Sequence, residues 1–151
     1  MDTRIEPLPP VAVPPGFELL KPMDKVMEAM GPIYYRLDAG VDDRHATLAF
    51  RVGEHNCNPR GNCHGGCLAT FADLQMGINI AHMTNLGGPT ISMHIDYMRA
   101  AKLGAWVEGR TQLVHRTKTM NFVECLVTAD GEPALRASGI FKIYGPALHA
   151  F

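Results

Sequence analysis

Residues 64–84 read HGGCLATFADLQMGINIAHMT, a run without proline and long enough for more than about five helical turns. It is the longest candidate helix in the chain. Asn85-Leu86-Gly87-Gly88-Pro89 follows at once and supplies the stop, since glycine and proline end helices readily. On its N-terminal side lies a loop dense in polar residues and glycine, from Gly53 to Gly61. Before that loop, residues 33–39 and 44–52 carry strand formers around the turn-like Ala39-Gly40-Val41-Asp42-Asp43, which predicts a hairpin. From Phe17 to Met30 the apolar positions Leu19, Leu20, Met23, Val26, Met27 and Met30 recur at helical spacing, which predicts a first helix ending at Gly31-Pro32. Pro22 would sit near its first turn.

After the long helix the period changes to two. Ile91, Met93, Ile95 and Tyr97 alternate with polar residues, as do Val123, Cys125, Val127 and Ala129. Leu135, Ala137, Phe141 and Ile143 share one parity, and Trp106 to His115 supplies a less regular strand. The links between these strands are short, so a four-stranded antiparallel meander is expected. A sheet with one apolar face needs a cover, and the long helix is the candidate. The fold class is therefore α+β. Five prolines among the first 15 residues predict that residues 1–15 form an extended proline-rich arm, leaving 16–151 as one domain.

Composition narrows the function classes. A chain of 151 residues fits one core, and 46% hydrophobic with 19% charged residues supplies that core without a disordered tail. Lysine and arginine total 14 against 15 acidic residues, so nothing favours a polyanion and no nucleic-acid partner is expected. The start, Met1-Asp2-Thr3-Arg4-Ile5-Glu6, lacks the apolar segment of a signal peptide, and no stretch approaches the roughly 18 apolar residues of a membrane span. A cytoplasmic protein without a membrane partner is the expectation.

The densest chemistry is Asn58-Pro59-Arg60-Gly61-Asn62-Cys63-His64-Gly65-Gly66, followed by Asp73 inside the helix. Free N–H groups at a helix start attract developing negative charge, and glycine at 65 and 66 lets a carbonyl come close to them. The competing reading is that Gly65-Gly66 only begins a helix packed tightly on a sheet. Asp73 lies well past the first turn, where it cannot cap the helix, and is expected to be buried or else solvated on an outer face. Nine steps along the chain separate it from His64. That is about 900° of rotation and about 13 Å of rise, so the two lie on opposite sides of one helix. A two-fold dimer would remove the difficulty by facing the helix start of one protomer with the aspartate of the other. A rival reading takes Cys57, Cys63 and Cys67 with His55 and His64 as metal ligands; the spacings match no common zinc pattern, and no metal is expected.

The pattern N-x2-G-x2-H-G-G-x6-D, formed by Asn58, Gly61, His64, Gly65, Gly66 and Asp73, resembles that of the hotdog-fold acyl-CoA thioesterases, the group of phenylacetic-acid-pathway and thioesterase-superfamily enzymes. Asp96-Tyr97-Met98-Arg99-Ala100-Ala101-Lys102-Leu103-Gly104 resembles the family's strand-end segment, and the likeness runs over roughly residues 45–145. The resemblance implies a hotdog fold, with a curved antiparallel sheet wrapping a long central helix. It also implies hydrolysis of acyl-CoA or aryl-CoA thioesters at the interface of a homodimer or homotetramer, without a cofactor. Asp73 matches the catalytic acid, as general base or nucleophile. Gly65 matches the donor that polarises the thioester carbonyl, Asn58 and His64 match loop residues that orient the carbonyl or water, and Thr90 falls where relatives place a Ser or Thr near the aspartate. Gly66 with the basic Arg60, Arg99 and Lys102 are the candidates for holding substrate, the latter three through the CoA phosphates. Two other readings share the cavity: a non-catalytic acyl-CoA-binding module, and a hotdog dehydratase or hydratase.

Overall fold

The computed structural model describes residues 12–38, 45–148 and 151. The proline-rich arm up to residue 11 and the turn at 39–43 lie outside the described residues. The elements are β1 (Glu18–Leu19), α1 (Lys25–Met30), β2 (Ile33–Leu37), β3 (Ala46–Arg51), a single 3-10 turn (Glu54–Asn56) and α2 (Gly65–Thr84). They continue as β4 (Leu86–Gly87), β5 (Thr90–Tyr97), β6 (Trp106–Arg116), β7 (Met120–Ala129), β8 (Glu132–Lys142) and β9 (Gly145–Pro146). Among the described residues, seven strands form one sheet in the order β1-β2-β3-β6-β7-β8-β5, and every pairing is antiparallel. A small ribbon pairs β4 with β9. No helix among the described residues is long and apolar enough to cross a membrane.

Two expectations need correction. Phe17–Met30 is not one helix: Leu19 pairs with Tyr34 in β2, and only Lys25–Met30 is helical. Pro22 is the reason, because the residue before a proline is pushed towards extended backbone. The helix starts instead at Asp24, whose Oδ1 accepts from Met27 N–H at 2.8 Å. The four C-terminal strands are also not a simple meander. β6, β7 and β8 follow one another, but β5 lies beyond β8 at the edge, and β6 pairs with β3. The connection from β5 to β6, residues 98–105, crosses two intervening strands. Eight residues reach up to about 26 Å, ample for a gap of roughly 14 Å. Its edge position leaves β5 poorly covered, with Ile91 and Tyr97 each 53% exposed rather than in the core.

α2 ends where the sequence says it should, on Asn85 in the left-handed region (φ 58°), whose N–H bonds to Ala81 O. Its apolar residues point in several directions because it packs on β3, β5, β6, β7 and β8. Phe71 meets Phe50 of β3 with ring centroids 4.9 Å apart. Beside this apolar contact sits a polar one. On its β6 side, β3 keeps register with β6 only from Arg51 to Leu48, so the groups at Leu48 and Ala46 run out of ladder. Two amides of α2 take them over. Gln75 Oε1 accepts from Leu48 N–H at 2.9 Å, and its Nε2 donates to Ala46 O at 3.0 Å and to Thr111 Oγ1 at 3.2 Å. Asn79 Oδ1 accepts from Ala46 N–H, and its Nδ2 donates to Ala46 O, both at 2.9 Å. Both residues are fully buried. Gly109 leaves the room: a Cβ there would lie 2.8 Å from Gln75 Cγ.

Gln75→Met, which keeps the length and loses the amide, is expected to destabilise the chain. It strands the Leu48 N–H and removes a partner of Thr111, at about 1–3 kcal/mol per orphaned buried group. Urea denaturation checks this. An unchanged midpoint would mean that water or backbone movement satisfies Leu48.

Candidate active site

The sequence candidates fall into two groups at two places along α2. The first gathers at its start. His64 is the cap, and its Nδ1 accepts from Gly66 N–H at 3.1 Å, so Gly66 is already engaged. His64 O takes the N–H groups of Cys67 and Leu68. The Gly65 N–H has no partner among the described residues and is the open donor of this turn. The Gly65 carbonyl accepts from the Tyr97 hydroxyl at 2.7 Å, which ties the turn to the end of β5.

The loop before the helix is held by its own side chains. Asn58 Oδ1 accepts from Arg60 N–H at 2.9 Å and from Asn62 N–H at 3.3 Å. The loop then joins the β5–β6 connection through Cys63 N–H to Ala101 O (2.7 Å) and Leu103 N–H to Gly61 O (3.0 Å). Arg60 and Lys102 are thus exposed on neighbouring segments beside the helix start. Arg99 lies on the same connection and makes an exposed ion pair with Glu132 at 3.9 Å, which holds it only weakly.

The second group sits more than two turns further on. Asp73 is half-buried rather than sealed in the core, and its Oδ1 accepts from the Thr90 hydroxyl at 2.6 Å. A cavity of about 440 Å³ opens beside it, lined on the helix by Asp73, Gly77 and Ala81 and across from it by Met27, Phe141 and Pro146. Asp73, Gly77 and Ala81 are four residues apart and so share one stripe of the helix. Gly65 and Asp73 lie about 12 Å apart along the axis, so one chain does not bring donor and carboxylate to one atom.

Four contributors were not singled out from sequence. Tyr97 reads as one more member of an apolar strand row, and nothing local reveals its hydroxyl's partner. Asn56 is buried behind the loop, with Oδ1 accepting from Gly53 N–H and Nδ2 donating to Met30 O. Gln75 and Asn79 could have been noticed, since two amides at i and i+4 within an apolar helix need buried partners. The metal reading finds no support in the ring geometry: the His64 ring faces Gly66, and His55 Nε2 lies 2.9 Å from Met30 O. Among the described residues, no group of three or more His, Cys, Asp or Glu side chains is placed to hold an ion.

The thioesterase superfamily model matches residues 60–135, a span that includes the helix start, Asp73, Thr90 and strands β5 to β7. A Pseudomonas aeruginosa protein named only provisionally as an esterase is 30% identical over 133 residues, covering 87% of this chain and 97% of that protein. The chain belongs to the thioesterase superfamily. Human acyl-coenzyme A thioesterase 13 is 33% identical over 96 residues, 60% of this chain and 65% of that protein. A hypothetical thioesterase of Streptococcus pneumoniae, solved with coenzyme A, superposes with a TM-score of 0.72 at 24% identity, over 81% of this chain and 93% of that one. The likeness shows the hotdog architecture: one long helix against a wide antiparallel sheet. The chain is a thioester hydrolase of this superfamily, and α2 carries the open Gly65 N–H at its start and the Asp73 carboxylate more than two turns further along.

The stripe beneath Asp73 yields a stability test. A methyl group at Gly77 would meet Phe141 Cε1 at an ordinary 3.8 Å, so Gly77→Ala is expected to stabilise the helix by about 0.5–1 kcal/mol while narrowing the cavity. A lowered urea midpoint would contradict the space described there.

Proposed function

We propose that this thioester hydrolase cleaves acyl-CoA or aryl-CoA thioesters to the free acid and CoA, at a site assembled from two copies of the chain. The observation that carries the reading is the Asp73 carboxylate, held by Thr90 at the mouth of an apolar cavity, in a chain of this superfamily. The cavity suits an acyl or aryl group, since methionine, phenylalanine, leucine and small residues make up most of its lining beside Asp73 and Asp24. The acyl-CoA assignment is supported by the human relative's name and by the streptococcal protein's coenzyme A.

In this reading the thioester carbonyl oxygen accepts from the Gly65 N–H of one copy, at the positive end of α2. Asp73 of the other copy acts on the carbonyl carbon, directly or by taking a proton from an attacking water. The C–S bond then breaks and CoA departs as its thiolate; where Asp73 attacks directly, water then opens the Asp73 anhydride to release the free acid. His64 and Asn58 keep the donor turn in shape through the hydrogen bonds to Gly66, Arg60 and Asn62. Arg60, Arg99 and Lys102 lie outside the cavity lining, where their charge can meet the CoA phosphates. A two-fold partner is supported by β5, an eight-residue edge strand whose outer side is unpaired among the described residues and which exposes Ile91 and Tyr97.

Asp73→Asn keeps the size and can still accept from Thr90, yet it can neither take a proton nor attack. Turnover of a panel of acyl-CoA and aryl-CoA thioesters, followed by free thiol release, is expected to fall about 100-fold or more with folding unchanged. Wild-type protein that turns over no thioester in the panel, or an Asp73→Asn variant as active as wild type, would overturn the reading.

A further inference from the structure

Three of the four cysteines gather at the start of α2, and the hydrolytic reading uses none of their thiols. Cys57 and Cys63 face one another across a short antiparallel bridge. The bonds flanking it, Asn58 N–H to Asn62 O and His64 N–H to Asn56 O, make Cys57 and Cys63 a non-hydrogen-bonded pair, the closer kind. Cys67 lies one turn into the helix from Cys63. Cys57 Sγ donates to Gly53 O at 3.3 Å and is thereby turned to the loop backbone. Asn56 Nδ2 approaches Cys67 Sγ at 3.5 Å, a donor aimed at the sulfur.

We propose that Cys67 and Cys63 are a peroxide-reactive dithiol that closes reversibly to a disulfide across the first turn of α2. Cys67 is the half-exposed member and Cys63 the buried one, so an oxidant arriving from solvent meets Cys67 first. Hydrogen bonding with Cys63, then with Asn56, and the nearby His55 outweigh burial and bring the Cys67 thiol down to about 7, while the same pairing raises that of Cys63. Cys125 is the opposite case, buried in the sheet with its thiol pushed up to about 12, and takes no part.

The chemistry balances with hydrogen peroxide as the two-electron oxidant. The Cys67 thiolate attacks one peroxide oxygen, the O–O bond breaks, and hydroxide leaves and is protonated to water; Cys67 is now a sulfenic acid. The Cys63 sulfur attacks the Cys67 sulfur, the S–O bond breaks, and the hydroxide departs as water with the proton of the Cys63 thiol. Two thiols and one peroxide thus give one disulfide and two waters. A small dithiol reverses the step. The crosslink would span from the residue before the His64 cap to the third residue of the helix. It therefore brackets Gly65 and Gly66, and its effect on turnover rests on the proposed role of that turn.

The test treats the full chain with stoichiometric hydrogen peroxide and reads intact mass, disulfide mapping and thioester turnover. The expected result is a mass loss of about 2 Da, a single Cys63–Cys67 linkage, and turnover lower by about tenfold to a hundredfold, with all three restored by dithiothreitol. Cys67→Ser, at a position outside the catalytic constellation, should keep basal turnover and lose the response. An unchanged mass, a linkage that contains Cys57, or a turnover loss that persists in Cys67→Ser would overturn the proposal. Mass and mapping need no substrate, so a failed hydrolytic reading would leave the disulfide result standing.

Discussion

The Gln75 and Asn79 amides, buried against the end of β3, fix how α2 is rotated in the sheet. An apolar helix in an apolar trough could turn about its axis at small cost, because dispersion and burial are not directional. Hydrogen bonds to Ala46 and Leu48 are directional, and leaving them unmade in the core is expensive. Asp73 stands two residues before Gln75, about 200° around the helix. Anchoring one side to β3 therefore presents the other to the cavity, with Asp73, Gly77 and Ala81 along its wall. The carboxylate is aimed by contacts on the far side of its own helix.

The same geometry explains why donor and carboxylate stay apart. Gly65 must be at the helix start to offer a free N–H, whereas Asp73 must be inside the helix to reach the cavity. One strand touches both positions. β5 begins at Thr90, bonded to Asp73, and ends at Tyr97, bonded to the Gly65 carbonyl. It is also an edge strand, so a second copy paired along it would lie against both positions at once. Incomplete coverage of β5, a liability in an isolated chain, is what a shared site requires.

The sequence made legible those parts that a repeating pattern controls. The bounds of α2 follow from the glycine start, the proline-free run and the Asn85 stop, and β7 and β8 follow from their period of two, with β6 read from a less regular run. Phe17–Met30 misleads because apolar residues at helical spacing can also belong to a two-residue strand and a one-and-a-half-turn helix separated by Pro22. The place of β5 was not legible either: a link of eight residues reaches past two strands as easily as it turns back. The Asp73–Thr90 contact was foreseen only through the family resemblance. No local rule brings together residues 17 apart on a helix and an edge strand, and the Tyr97 contact spans 32 residues. Asp73 was expected to be buried or solvated and lies between, since it sits at the mouth of the cavity rather than in the wall of the core.

The central claim is that one working site draws its donor turn and its carboxylate from different chains, and a mixed dimer tests it most directly. Gly65→Pro removes the donor N–H while keeping a residue favoured at the first helical position, and His64 already has the extended backbone (φ −61°, ψ 137°) that a following proline requires. Co-refolding this variant with Asp73→Asn creates heterodimers with one intact and one doubly damaged site. The account predicts that purified heterodimers recover about half of wild-type turnover. Heterodimers that are folded yet as inactive as either parent would contradict it.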